Sequence, residues 1–223
     1  MYLRYVFILV VLGYGTPKDT VAQDDLSSWT TIQLNYNITE QWSLSLRPIM
    51  RHRDNLGAYN NTSIDFSVGY KLNKVFSASL LNRHFFIPDT PDREFIFLDL
   101  KAKQTLSPQW TLQHLLRYHF ANNINDRIDP DFLRYQPKLV FGLKSHTKLF
   151  AMLDPFYRLT NPSSLAGARY ELGYDRALRK GLGINLQYWY QKGYGNTPIT
   201  TSHFIIVNLR KTFSNKTTDS TKG

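Results

Sequence analysis

Apolar and polar residues alternate with a period of two along most of the chain, and Ala168 to Gln191 shows it most clearly. Every second residue gives Ala168, Tyr170, Leu172 and Tyr174 and, after a turn, Leu182, Ile184, Leu186, Tyr188 and Tyr190. The positions between them are Arg169, Glu171, Gly173, Asp175, Gly183, Asn185 and Gln187. Successive side chains of a strand point to opposite faces, so the stretch reads as a hairpin with one apolar, aromatic face and one polar, charged face. Strands of a soluble sandwich run to about five or six residues; these run to roughly ten, about the length a tilted strand needs to cross a bilayer.

Eleven segments carry the same alternation. Trp29 to Ile38 sets Ile32, Leu34 and Tyr36 against Thr31, Gln33 and Asn35, and Trp42 to Arg53 sets Leu44, Leu46 and Met50 against Ser45, Arg47 and Arg51. Ser63 to Leu72, Arg93 to Leu106, Trp110 to Phe120, Leu133 to Lys144, Leu149 to Leu159 and His203 to Phe213 follow suit. Val75 to Phe86 is less regular, because Asn82 and His84 fall in register with Phe76, Ala78 and Leu80.

The connections alternate in length. Thr39-Glu40-Gln41, Asn73-Lys74, Ser107-Pro108-Gln109 and Ser145-His146-Thr147 are tight turns. Asp54 to Thr62, Ile87 to Asp92, Ala121 to Phe132, Thr160 to Gly167 and Lys192 to Ser202 are longer links. Short turns at one end and long loops at the other are the pattern of outer-membrane barrels, whose short turns face the periplasm. Trp42 and Trp110 open strands directly after short turns, where an aromatic ring sits at a membrane-water interface.

Composition narrows the class. The chain has 223 residues, with 42% hydrophobic and 14% aromatic, and no compositional break divides it, so one domain is expected. A mean hydropathy of −0.36 excludes a helical membrane bundle but not a barrel, in which only alternate residues face lipid. There is no Cys, which removes disulfides, thiolate nucleophiles and Cys-based metal sites. The net charge of +10 is spread singly along the strands without a basic run, so nucleic-acid binding is not expected.

At the N-terminus, Arg4 precedes an apolar run from Tyr5 to Tyr14, and small and polar residues lead to Thr20-Val21-Ala22. About ten apolar residues are too few to span as a helix and suit a signal-peptide core, with cleavage expected before Gln23. The domain reading is therefore a signal peptide over 1–22, a barrel over 23–213 and a polar, disordered tail over 214–223.

The faces decide what is buried. Nearly every segment places large Leu, Tyr, Phe or Trp side chains on one face, more than a closed interior could pack. Turning that face to lipid and the charges to the lumen solves the packing, and closure satisfies the backbone. The expected fold is all-β, a single antiparallel transmembrane β-barrel of about ten to twelve strands, with twelve favoured because bacterial barrels normally have even counts. A soluble secreted or periplasmic barrel or sandwich is the alternative.

The order of the tight-turn strands, Asp154-Pro155-Phe156-Tyr157-Arg158, Ala168-Arg169-Tyr170-Glu171-Leu172-Gly173-Tyr174 and Leu186-Gln187-Tyr188-Trp189-Tyr190-Gln191 resembles the outer-membrane β-barrel family designated domain of unknown function 2490. The resemblance runs over nearly all of Trp29 to Phe213. It implies the fold and an outer-membrane location and assigns no activity.

On the polar face, candidate lumen-lining residues are Arg47, Arg51, Asp65, Lys71, Arg83, Asp99, Lys101, Lys103, Arg117, Arg134, Lys138, Asp154, Arg158, Arg169, Glu171 and Asp175. Two readings are open: an interior filled by salt bridges, and a narrow pore preferring anions because basic residues outnumber acidic ones. An outer-membrane enzyme is a third class. Ser202-His203 and Ser145-His146 are adjacent in sequence and so point to opposite faces, which makes them poor nucleophile-base pairs. No metal-ligand spacing occurs among the six His, and no catalytic residue, metal or cofactor is assigned. The expected partners are outer-membrane lipid and, during insertion, the barrel-assembly machinery, with the chain a monomer.

Overall fold

The computed structural model describes residues 25–121, 131–144, 146–159, 163–194 and 201–214. The expected signal peptide, Gln23 and all of the tail beyond Ser214 lie outside them. Eleven strands form the wall: β1 (Asp25–Asn37), β2 (Trp42–Arg53), β3 (Ala58–Lys71), β4 (Phe76–Phe86), β5 (Arg93–Thr105), β6 (Trp110–Ala121), β7 (Phe132–Lys144), β8 (Thr147–Arg158), β9 (Ser164–Ala177), β10 (Leu182–Gly193) and β11 (Thr201–Ser214). Each pairs with its neighbours in sequence, and β1 meets β11 to close the barrel.

Closure explains the strand number. Counted back from β11, an odd number of strands makes β1 run the same way as β11, from the long-loop end to the short-turn end. The two pair in parallel over the whole of β1, from Asp25 opposite Ser202 to Asn37 opposite Ser214. The preference for twelve strands is thereby corrected to eleven, and one seam of an otherwise antiparallel wall is parallel. Ser214, expected to begin the tail, is the last residue of β11.

The irregular β4 is a single wall strand, paired with β3 and β5 along its length. Its two polar outward residues are satisfied locally: Asn82 donates to Glu94 at 2.6 Å, and His84 lies 3.1 Å from Asp92.

Three short turns share one device. Thr39 Oγ1 accepts from the N–H groups of Gln41 and Trp42, Asn73 Oδ1 from Val75 and Phe76, and Ser107 Oγ from Gln109 and Trp110. A side-chain oxygen that mimics a backbone turn sets where the next strand begins. This fixes Trp42 and Trp110 at the short-turn rim, beside Tyr70 and Phe141 at 4.7 Å in each case.

The link over 87–92 has the expected bounds, but strand pairing shortens three of the other long links. Pairing with β2 draws 58–62 into β3, leaving a four-residue turn, 54–57, in which Asp54, Asn55 and Leu56 all have positive φ. Asp and Asn tolerate that region, whereas Leu does not favour it. The turn is held against β1: Leu56 N–H donates to the Leu26 carbonyl at 3.2 Å, and Leu26 N–H donates to Asn55 Oδ1 at 3.4 Å. Similarly, β9 begins at Ser164 rather than after Gly167, and β11 at Thr201.

The barrel is polar inside and apolar outside. Asp65, Asp99 and Asp154 are almost completely buried, whereas Leu80, Leu100, Leu116, Leu186 and Leu209 point outward and are 40 to 54% exposed. Apolar side chains do reach the interior: Ile49, Leu81, Val140, Phe150 and Ile206 are buried on the inward face. Phe150 lies over Gly173 so closely that a Cβ there would come within 2.1 Å of its ring, so Gly173→Ala is expected to push the ring aside and destabilise the barrel. A lower urea midpoint for Gly173→Ala than for Gly142→Ala, where an added Cβ has 3.7 Å of room, checks this.

Candidate functional site

Period-two alternation carries charged residues of β2 to β9 to one interior, where nine of them form three groups. Arg47, Asp65 and Arg83 stand side by side on β2, β3 and β4. The Asp65 carboxylate takes Arg47 at 2.5 Å and Arg83 at 2.6 Å. On β5 and β6, Asp99 faces Arg117 at 2.6 Å, and Lys101, on the same face of β5, reaches it at 3.8 Å. On β7, β8 and β9, Asp154 pairs with Arg134, with Arg169 3.7 Å away. Each aspartate is thus shared between two cations. Fork-like guanidinium contacts through Nε and a terminal nitrogen hold Arg83, Arg117 and Arg134 in fixed orientations.

Toward the long-loop end Arg51 and four of these arginines stack on aromatic rings. Arg51 lies 4.5 Å from the Trp29 centroid and 4.9 Å from Phe85. Arg83 and Arg117 flank Phe97 at 5.3 and 4.9 Å, and Arg134 sits over Phe156 at 4.5 Å. Arg169 is the hub, 4.1 Å from Trp189, 5.1 Å from Phe156 and 5.8 Å from Trp29, with its guanidinium donating to Gln191 Oε1 at 2.7 Å. Trp29 contacts Trp189 and Phe204 edge-on at 4.8 and 5.6 Å. Guanidinium on aromatic face is favourable and more so when water is excluded, so this layer is cohesive as well as bulky. Among the described residues Arg51 finds no carboxylate; it donates to Asn61 and Ser63 and leaves one terminal nitrogen buried without a partner.

Below this layer, toward the short turns, lies a cavity of about 570 Å³. Eight cationic side chains line it, Lys101, Lys103 and Lys138 together with Arg47, Arg83, Arg117, Arg134 and Arg169, against the single carboxylate of Glu171. Its wall reaches Val75, at the turn between β3 and β4. Among the described residues no group of three His, Asp or Glu side chains is arranged to hold a metal ion.

The other candidates from the sequence fall elsewhere. Lys71 and Arg158 are exposed at opposite rims, and neither belongs to these three groups. Asp175 pairs with Arg210 at 3.2 Å. Arg210 is not among the interior residues expected from the sequence, and neither are the inward Trp29, Phe85, Phe97, Phe156, Trp189 and Phe204. Their signal was present, since each lies on the face that carries the charges, but large aromatics on a polar face run against the alternation used to find that face. Of the His residues, His119 points inward, stacked 4.6 Å from Phe97, and His203 meets Tyr188 at 2.6 Å on the outer face. Ser145 lies outside the described residues.

Fold and interior together define a closed β-barrel of inverted polarity, with its ion pairs inside and its apolar side chains outside. The chain belongs to the family described as protein of unknown function (DUF2490), whose model matches residues 26–202. No curated protein matches it.

Proposed function

We propose that this protein is an outer-membrane β-barrel whose interior is closed to free passage, a structural barrel or one that admits at most small anions to its short-turn half. The observation that carries the reading is the inverted polarity. An outward surface built of Leu, Ile, Phe and Tyr on successive strands is unfavourable in water and matched to hydrocarbon. The aromatic residues at the short-turn rim and the leader-like N-terminal sequence agree with export and insertion. Closed passage is supported by the arginine-aromatic layer: an eleven-strand barrel is only a little wider than the roughly eight-strand kind that side chains fill.

The mature protein is expected to sediment with outer membranes, to resist extraction by carbonate or high salt, and to migrate faster unheated than boiled on a gel. Recovery as a soluble periplasmic protein contradicts the proposal. Assembly gives a further check. Phe213 ends the apolar outward row Ile205, Val207 and Leu209 and is 47% exposed. Phe213→Ala is expected to slow insertion, whereas a chain ending at 214 is expected to insert as the full chain does. The reverse result contradicts the assignment of β11 as the terminal signal strand.

A further inference from the structure

The fixed charges around the interior cavity do not balance. Asp65, Asp99 and Asp154 each serve two cations, so each of the three groups keeps one positive charge beyond what its carboxylate neutralises. Lys103 and Lys138 add to the excess, since neither forms an ion pair among the described residues. Lys138 instead places Nζ 3.5 Å from the Phe150 ring centroid. Glu171 is the only lining carboxylate among the described residues. Uncompensated positive charge inside a low-dielectric wall is costly, and it concentrates counter-ions from the water that reaches it.

We infer that this cavity is a binding site for a small, multiply charged, phosphate-bearing anion entering from the short-turn end. A volume of about 570 Å³ is that of a small-molecule pocket rather than of a chloride site. Guanidinium forks and lysine point charges together suit the oxygens of a phosphate, and Gln113, Gln136, Gln187 and Asn208 supply neutral amide groups on the same wall. The arginine-aromatic layer closes the cavity on the side away from the short turns, so the anion is held and not passed on. The inference rests on the closed interior of the proposed reading but not on the membrane placement: a barrel recovered from a soluble fraction would leave it standing.

The test is titration calorimetry of inorganic pyrophosphate into the folded full chain in zwitterionic detergent at low salt. Saturable binding of one pyrophosphate per chain, weakened by added chloride, is expected. The double variant Lys103→Gln with Lys138→Gln leaves all three aspartate groups intact and is expected to bind about tenfold or more weakly, the loss of ~1.4 kcal/mol or more. Arg53→Gln, at the long-loop rim, is expected to bind as wild type does. A parallel titration with short-chain phosphatidic acid, against phosphatidylcholine, separates a free phosphate ligand from a lipid headgroup: binding of phosphatidic acid alone, lost in the double variant, supports the site and assigns its source to lipid. No binding of either phosphate compound, or binding unchanged in the folded double variant, overturns the inference. Heat-modified gel migration and circular dichroism establish that each variant is folded.

Discussion

Asp154→Ala is expected to destabilise the folded barrel by about 3–5 kcal/mol, the cost of leaving buried cations without their partner. Asp154 has no exposed surface and serves both Arg134 and Arg169. Removing its carboxylate strands two guanidinium groups, one of them the hub of the aromatic layer. Asp154→Asn keeps an acceptor and is expected to fall between wild type and alanine. Asp54→Asn, which keeps a residue tolerant of the positive φ of that turn, provides the contrast: its pair with Arg53 is 66 and 57% exposed, so the loss should stay below about 1 kcal/mol. Urea unfolding in lipid vesicles, followed by the fluorescence of the four tryptophans, reads both. Equal losses at Asp154 and Asp54 contradict the buried-network account.

The second large effect concerns passage through the barrel. In planar bilayers the wild-type protein is expected to give no steady single-channel steps. The double variant Trp29→Ala with Trp189→Ala removes the two rings that meet at 4.8 Å beside Arg169 and should open a path through the layer. The resulting steps are expected to be small and anion-selective, because arginine and lysine line what remains. Steady conductance by the wild type contradicts the closed layer, and so does a folded double variant that stays silent.

The alternation displayed the wall of this barrel in the sequence because each strand is half apolar by necessity: one face meets the outside and the other the charged interior. Strand ends were less legible. Residues such as Asn60, Asn61 and Thr62 have the local chemistry of a loop, yet Asn61 faces Arg51 across β2 and β3 and is needed there as an acceptor. Tertiary pairing outweighs local preference at such positions. The parallel seam was not legible, since nothing in β1 or β11 alone states which strand it will meet. Prolines gave a mixed signal. Pro48 and Pro155 lie within strands, and the ladders of β1 with β2 and of β7 with β8 skip the pairs around 48 and around 137 and 155, where a donor is missing.

The charged interior was legible as a set of residues but not as an arrangement. Alternation tells that Arg47, Asp65 and Arg83 share a face; only the register between β2, β3 and β4 makes them neighbours. The aromatic half of the site was hidden because Phe97 and Trp189 are apolar by type and yet stand among charges, where their rings accept guanidinium groups.

The outward face is expected to meet lipid and the inward face is not. Because the chain has no cysteine, single nitroxide labels placed along β10 by Ile184→Cys, Asn185→Cys, Leu186→Cys, Gln187→Cys and Tyr188→Cys report one position each. In reconstituted vesicles, electron paramagnetic resonance power saturation should show labels at 184, 186 and 188 open to oxygen and shielded from a water-soluble nickel chelate, with 185 and 187 closed to oxygen. Labels at 184, 186 and 188 that relax with the nickel chelate, as they would on a barrel standing in water, contradict the account.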